Sequence, residues 1–200
     1  MNKLFRRLIV TCILFQLLIS FPLHALAESQ DAIFAGGCFW CLEHDLEKID
    51  GVISVESGYS GGDLSNPTYE KHRGHQEVVK VSFNSDIISY KDLLKNYWLN
   101  IDPFDGDGQF CDRGDSYKPI IFTSNLEQER EAKKSKKLLS LAFDMPLDKF
   151  KVDILDSKTF WIAEKYHQDF AVKNPLKYNF YRTSCGRDNR LKKVWGEYQN

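Results

Sequence analysis

Residues 32–43 read Ala32-Ile33-Phe34-Ala35-Gly36-Gly37-Cys38-Phe39-Trp40-Cys41-Leu42-Glu43. The first four are apolar and suit a short buried strand. Gly36-Gly37 ends it and allows a tight turn with close backbone approach. From Cys38 onward, Phe39, Leu42, Leu46 and Ile49 recur at near-helical spacing until Asp50-Gly51 stops the run. The stretch therefore reads as strand, turn and helix, with a cysteine at the junction.

The neighbouring segments complete a pattern. Val52 to Tyr59 alternates Val and Ser as a strand does, and a Gly, Asn and Pro loop follows through Pro67. Val78 to Phe83 is a second alternating run, with Val79, Val81 and Phe83 on one face. Ser89 caps a helix carrying Leu93, Leu94, Tyr97 and Trp98. A long Asp/Gly loop from Asp102 to Ser116 leads to a strand at Pro119 to Thr123. The order strand, helix, strand, strand, helix, strand predicts an α+β fold, a two-layer sandwich with a ferredoxin-like βαββαβ core. Beyond it, Asn125 caps a charged helix to about Leu141, Lys151 to Leu155 reads as a strand, and Ile162 to Lys173 as a helix stopped by Asn174-Pro175. The core is thus expected to be extended by a C-terminal helix, strand and helix. The aromatic, basic tail after Pro175 has little regular pattern.

With 200 residues, the chain is long enough for one domain with a real core. A hydrophobic share of 42% with 28% charged residues argues against disorder, and a net charge of -1 gives no basic field for nucleic acid. Lys3, Arg6 and Arg7, the apolar run from Leu8 to Phe21, and Ala25-Leu26-Ala27 form a signal-peptide pattern with cleavage after Ala27. The run is short for a membrane span and Pro22 interrupts it. The expected organisation is a signal peptide at 1–27 and a single catalytic domain at 28–200. The mature protein would be exported, periplasmic or secreted, monomeric, and without a stable membrane anchor.

Cleavage at that point would also remove Cys12 and leave Cys38, Cys41, Cys111 and Cys185. An exported chain with four cysteines invites two structural disulfides. It also invites redox chemistry, because Cys38 opens a helix, where unpaired N–H groups favour a thiolate and a lowered pKa. Cys41 lies one turn further on the same face, so the pair reads as a Cys-x-x-Cys redox couple. A zinc site is disfavoured, since no second paired motif accompanies this one.

Five ordered segments then carry a resemblance. They are Ala35 to Glu43; Gly51-Val52 to Gly58-Tyr59-Ser60-Gly61-Gly62; Asn66-Pro67-Thr68-Tyr69-Glu70 with Gly74-His75-Gln76-Glu77-Val78-Val79; Asp102-Pro103, Gln109 to Asp112 and Tyr117; and Ala163-Glu164-Lys165-Tyr166-His167-Gln168-Asp169-Phe170. Together they resemble the A-type methionine sulfoxide reductases from about Ile33 to Trp195. The resemblance implies that Cys38 is the nucleophile. Phe39 and Trp40 would hold the substrate methyl group, Glu77 would act as the acid, Tyr59 and Tyr117 as oxygen-binding tyrosines, and Asp112 as the active-site aspartate. It further implies reduction of the S epimer of methionine sulfoxide, in oxidised proteins or as the free amino acid. The cycle would pass through a Cys38 sulfenic acid, an intramolecular disulfide and recycling by a thioredoxin-like dithiol, with no bound cofactor and no metal.

Two departures from the family pattern stand out. Lys71-His72-Arg73 replaces a longer Ser/Gly/Thr stretch, and Ser184-Cys185-Gly186-Arg187-Asp188 stands where many members have a Gly-rich tail with two cysteines. The resolving cysteine is therefore open among Cys41, favoured by its position, then Cys185, then Cys111. Two other functions compete: a periplasmic thiol–disulfide oxidoreductase using Cys38 and Cys41, and a binding module stapled by two disulfides.

Overall fold

The computed structural model describes residues 29–196. The expected signal segment at 1–27 lies outside the described residues.

Strand β1 (Ser29–Ala35) buries Ala32 to Ala35 and pairs antiparallel with β3 (Gln76–Asn84), Ala32 opposite Val81 and Ala35 opposite Val78. Strand β2 (Val52–Ser60) pairs with the other edge of β3, Tyr59 opposite Glu77. Strand β6 (Ile120–Thr123) adds antiparallel to β1. These four strands lie in the order β6-β1-β3-β2, the ferredoxin-like order expected from the sequence. β7 (Asp153–Asp156) extends one edge, parallel to β6, and β8 (Trp161–Ile162) extends the other, antiparallel to β2. A separate two-stranded ribbon, β4 (Gly108–Gln109) with β5 (Asp112–Arg113), forms within the long Asp/Gly loop.

Alternation along the strands decides which side chains meet the helices. Ala32 and Phe34 share the main core with Val79, Val81 and Phe83, while Ile33, Ala35 and Val78 join Ile120 and Phe122 in a smaller cluster. Helix α1 (Phe39–Leu46) contributes Phe39, Leu42 and Leu46 to the main core, and helix α2 (Tyr90–Leu99) contributes Leu93, Leu94, Tyr97 and Trp98. The Ser89 hydroxyl accepts the Asp92 N–H, and Asn125 caps α3 (Leu126–Ala142) through the Gln128 N–H, as helix-capping chemistry predicts.

The C-terminal third differs from the sequence expectation. The helix expected over Ile162 to Lys173 is instead β8, turns, and a four-residue helix α4 (Phe170–Lys173). One left-handed residue and one long-range anchor accompany the break. Gln168 spends its carboxamide on the Ser57 backbone, accepting its N–H and donating to its carbonyl, and Asp169 adopts a left-handed φ of 54°. The tail expected to lack pattern forms α5 (Pro175–Ser184) and α6 (Arg187–Trp195). Pro175 begins α5, where its missing N–H costs nothing. Its apolar periodicity is weak because Tyr178 is the one residue of that helix that is fully buried.

Candidate active site

The Gly36-Gly37 turn delivers Cys38 to the N-terminus of α1. A Cβ on Gly36 would lie 2.7 Å from Ile101, and one on Gly37, at φ 81°, would lie 2.7 Å from Gln109. The turn therefore needs both glycines to pack against Ile101 and against Gln109 of β4. Gln109 is fixed in turn, accepting the Asp102 N–H at 2.8 Å and donating to the Asp102 carbonyl.

Cys38 lies at the floor of a small cavity of about 40 Å³. Phe39, Trp40, Glu77, Asp112 and Tyr117 line it with Cys38, so six of the expected residues meet in one place. Each comes from a different local solution. Phe39 and Trp40 follow Cys38 on α1, Glu77 sits on β3, Asp112 on β5, and Tyr117 ends a short 3-10 turn (Asp115–Tyr117).

Tyr59 does not line the cavity. Its buried ring packs 5.9 Å from that of Phe39, and its hydroxyl donates to Glu164 Oε2 at 3.0 Å. Tyr69 lines the cavity in its place, and its backbone N–H donates to Glu164 Oε1 at 2.9 Å. One carboxylate thus ties Tyr59 as a support and anchors Tyr69 at the rim. Tyr181 of α5 also lines the cavity, and sequence reasoning missed it. Tyr69 stood in a quoted segment, whereas Tyr181 lay in a tail with no legible pattern.

The electrostatics follow from burial. Glu77 is 2% exposed, and burial, aided by the charges of Asp112 and Cys41, lifts its carboxyl to about 8. The Phe39 N–H, donating to Oε2 at 3.1 Å, and the Tyr117 hydroxyl pull the other way. Asp112 is raised as well, by burial, against hydrogen bonds from Tyr181 and the Cys38 N–H.

The lowered pKa expected for Cys38 is corrected. Burial first, then the hydrogen bond and charge of Cys41 and the charge of Glu77, hold the Cys38 thiol well above its ordinary range. The helix N-terminus is too weak to offset full desolvation of a thiolate. Cys41 moves oppositely, down to about 7, because of its hydrogen-bond contact with Cys38 and the nearby charges of Arg187 and Arg182, although burial opposes the shift. The two thiols titrate as an interacting pair, with the easier ionisation on the Cys41 side.

Cys38 and Cys41 are free, buried thiols, whereas Cys111 and Cys185 form a disulfide across a sequence separation of 74. The four cysteines among the described residues are thus one reduced pair and one oxidised pair. Cys111, Asp112 and Cys185 cluster tightly, but two of these would-be metal ligands are bonded to each other.

The Trp40 wall is held by a stacked ring and a hydrogen bond. Trp40 stacks on Phe170 with centroids 3.7 Å apart and donates its indole N–H to His167 Nδ1 at 3.0 Å. His167 therefore carries its proton on Nε2, which lies 4.0 Å from Glu164. The result is a thiol in a cavity that combines the apolar rings of Phe39 and Trp40 with the raised carboxyl of Glu77 and three phenols, Tyr69, Tyr117 and Tyr181. Such a site accepts a small group with one apolar and one oxygen-bearing end.

Comparison with known proteins agrees with this chemistry. Residues 30–199 match the family model described as peptide methionine sulfoxide reductase. The chain is 47% identical to peptide methionine sulfoxide reductase MsrA 2 of Caulobacter vibrioides, covering 88% of this chain and 90% of that one. It is 43% identical to MsrA 2 of Rhizobium meliloti over 98% and 96% of the two chains. The crystal structure of reduced Mxr1 from Saccharomyces cerevisiae superimposes with a TM-score of 0.67 at 28% identity, covering 76% of this chain and 88% of that one. The chain belongs to the peptide methionine sulfoxide reductase family.

Proposed function

We propose that Cys38 attacks the sulfoxide sulfur while Glu77 delivers the proton that makes oxygen a leaving group. The overall activity is that of a peptide-methionine (S)-S-oxide reductase, an oxidoreductase acting on sulfur. The observation that carries the assignment of roles is the juxtaposition of a buried thiol with a carboxyl raised to about 8 across one small cavity. A carboxyl at that value is protonated at neutral pH and can donate.

The substrate methyl group rests on Phe39 and Trp40, and its oxygen turns toward Glu77, Tyr117 and Tyr69. The Cys38 thiolate attacks the sulfoxide sulfur while Glu77 protonates its oxygen; the S–O bond breaks as the hydroxyl passes to the Cys38 sulfur, the bond between the two sulfurs breaks with its electron pair returning to the substrate, and methionine leaves with Cys38 as sulfenic acid. The Cys41 sulfur then attacks the Cys38 sulfur and expels water, giving a disulfide. An external dithiol of the thioredoxin type restores both thiols by exchange. Cys41 is supported in this role by its hydrogen-bond contact with Cys38 and its low pKa. The cationic start, apolar run and Ala25-Leu26-Ala27 support an exported enzyme acting outside the cytoplasm.

Turnover of each sulfoxide epimer with dithiothreitol, comparing wild type with Cys38→Ser, tests the reading. The S epimer alone is reduced, and Cys38→Ser is inert. Turnover by Cys38→Ser would overturn it. The rival thiol–disulfide oxidoreductase loses support from the antiparallel β6-β1-β3-β2 order, which is not a thioredoxin arrangement. A module stapled by two disulfides is contradicted by the free thiols of Cys38 and Cys41.

A further inference from the structure

Tyr181 lines the Cys38 cavity, yet the mechanism above gives it no task. Its hydroxyl donates to Asp112 Oδ2 at 2.5 Å and is also in hydrogen-bond contact with the Cys38 sulfur. Its ring stands edge-on to Trp40, with centroids 5.9 Å apart. Three polar groups thus run in series: the Cys38 thiol, the Tyr181 hydroxyl and the Asp112 carboxylate. Asp112 is tied to the same point a second time, through the Cys38 backbone N–H.

The arrangement answers a difficulty in the chemistry. A fully buried thiol keeps its proton, but only the thiolate attacks. The groups acting on Cys38 are Cys41 from α1, Glu77 from β3 and the Tyr181 hydroxyl; its own charge is felt by Tyr69 and Tyr117, and Arg187 acts on Cys41 and Asp112. Of the groups acting on Cys38 directly, Tyr181 is the one that favours the thiolate.

We propose that Tyr181 is a catalytic residue that relays the Cys38 thiol proton to the Asp112 carboxylate. The S–H bond of Cys38 breaks and its proton joins Tyr181 Oη, while the original phenol proton moves to Asp112 Oδ2. The S–H electron pair stays on sulfur, and nothing is oxidised or reduced. The products are a Cys38 thiolate, an intact phenol and a neutral Asp112. Burial of Asp112 favours that neutral form. The relay is clamped from outside: Cys185 caps the end of Tyr181's helix and is bonded to Cys111, the chain neighbour of Asp112. The inference rests on Cys38 as the attacking atom.

The test is the pH dependence of iodoacetamide alkylation at Cys38, localised by mass spectrometry, together with single-turnover sulfoxide reduction. Wild type, Tyr181→Phe, Asp112→Asn, Cys41→Ser and Cys38→Ser are compared as full chains. Tyr181→Phe keeps the ring against Trp40. It is expected to alkylate about tenfold more slowly at neutral pH, to shift its profile upward, and to slow the first turnover by a similar factor. Asp112→Asn shifts the profile in the same direction, which keeps the proposal open to test if one variant folds poorly. A Tyr181→Phe profile that superimposes on wild type overturns the relay. So does loss of neutral-pH reactivity in Cys41→Ser alone, which makes Cys41 the proton acceptor. If Cys38→Ser still reduces sulfoxide, the underlying assignment fails instead.

Discussion

The backbone N–H of Phe39 donates to Glu77 Oε2 at 3.1 Å. The residue that follows the nucleophile thus holds the acid, so the position of one fixes the other. This contact pulls the Glu77 carboxyl downward, and burial overrides it to leave the group at about 8. Activity that needs protonated Glu77 falls as pH rises through about 8. Glu77→Gln is expected to lose roughly 100-fold or more in kcat/KM and to abolish that alkaline limb. A pH–rate profile with the S sulfoxide checks both, and an unchanged alkaline limb in the variant would remove Glu77 from the acid's role.

Glu43 provides a stability counterpart away from the chemistry. It is 1% exposed, and its Oε1 has no hydrogen-bond partner. Burial first, then the charges of Glu47 and Asp169, raise it to about 7. A carboxyl raised in the folded state binds a proton there that the unfolded chain releases earlier. Its contribution is present below an unfolded value of 4.5 and is lost as pH rises to about 7. Glu43→Gln should therefore match wild type near the acid end and exceed it at pH 8 by on the order of 2–3 kcal/mol. Urea denaturation at the two pH values reads the difference.

Trp40 supplies the apolar wall and is held by Phe170 and His167. Trp40→Ala removes half-buried ring area worth about 2 kcal/mol to any methyl group that packs on it. KM is expected to rise about tenfold or more, with a smaller change in kcat, because such binding is shared by ground and transition states. Steady-state kinetics on a sulfoxide peptide decide. A loss confined to kcat would place Trp40 in the chemical step instead.

The resolving step separates the two cysteine pairs. Cys41→Ser is expected to release one equivalent of methionine and then stop, with Cys38 sulfenic acid trapped by dimedone. Cys111 and Cys185 are bonded to each other in this structure, and their loop should give a different phenotype: loss of stability, about 4 kcal/mol by loop-closure entropy, in Cys111→Ser. Mass mapping after one turnover and chemical denaturation measure the two outcomes. A Cys38–Cys185 disulfide formed at the wild-type rate in Cys41→Ser would reverse the assignment.

Much of this molecule was legible as local pattern. Val and Ser alternation announced β2, Ser89 and Asn125 announced their helices, and the ordered segments from Ala35 to Phe170 announced the chemistry. Legibility failed where tertiary contacts overrode local preference. Gln168 bonds through its carboxamide to the Ser57 backbone, 111 residues away, and Asp169 turns left-handed beside it, where the sequence pattern reads as a continuous helix. The two C-terminal helices escaped notice because polar residues cover most of them: α5 buries Tyr178 alone, and the buried stripe of α6, Arg187, Leu191, Val194 and Trp195, begins on an arginine, which does not read as core.

The sequence by itself determined that Cys38 would open a helix after a glycine turn, within a βαββαβ core. Near-helical spacing and two glycines admit few other conformations. Only the tertiary structure decided how that sulfur behaves. A helix N-terminus alone argued for a low pKa, but burial beside Cys41 and Glu77 raised Cys38 and left the easier ionisation to Cys41. The tertiary structure also chose Tyr69 over Tyr59 for the cavity, and brought Tyr181 from the far end of the chain to the nucleophile. Desolvation depends on everything that surrounds a group, and those surroundings come from residues up to 143 positions away in a chain that covers residues 1–200.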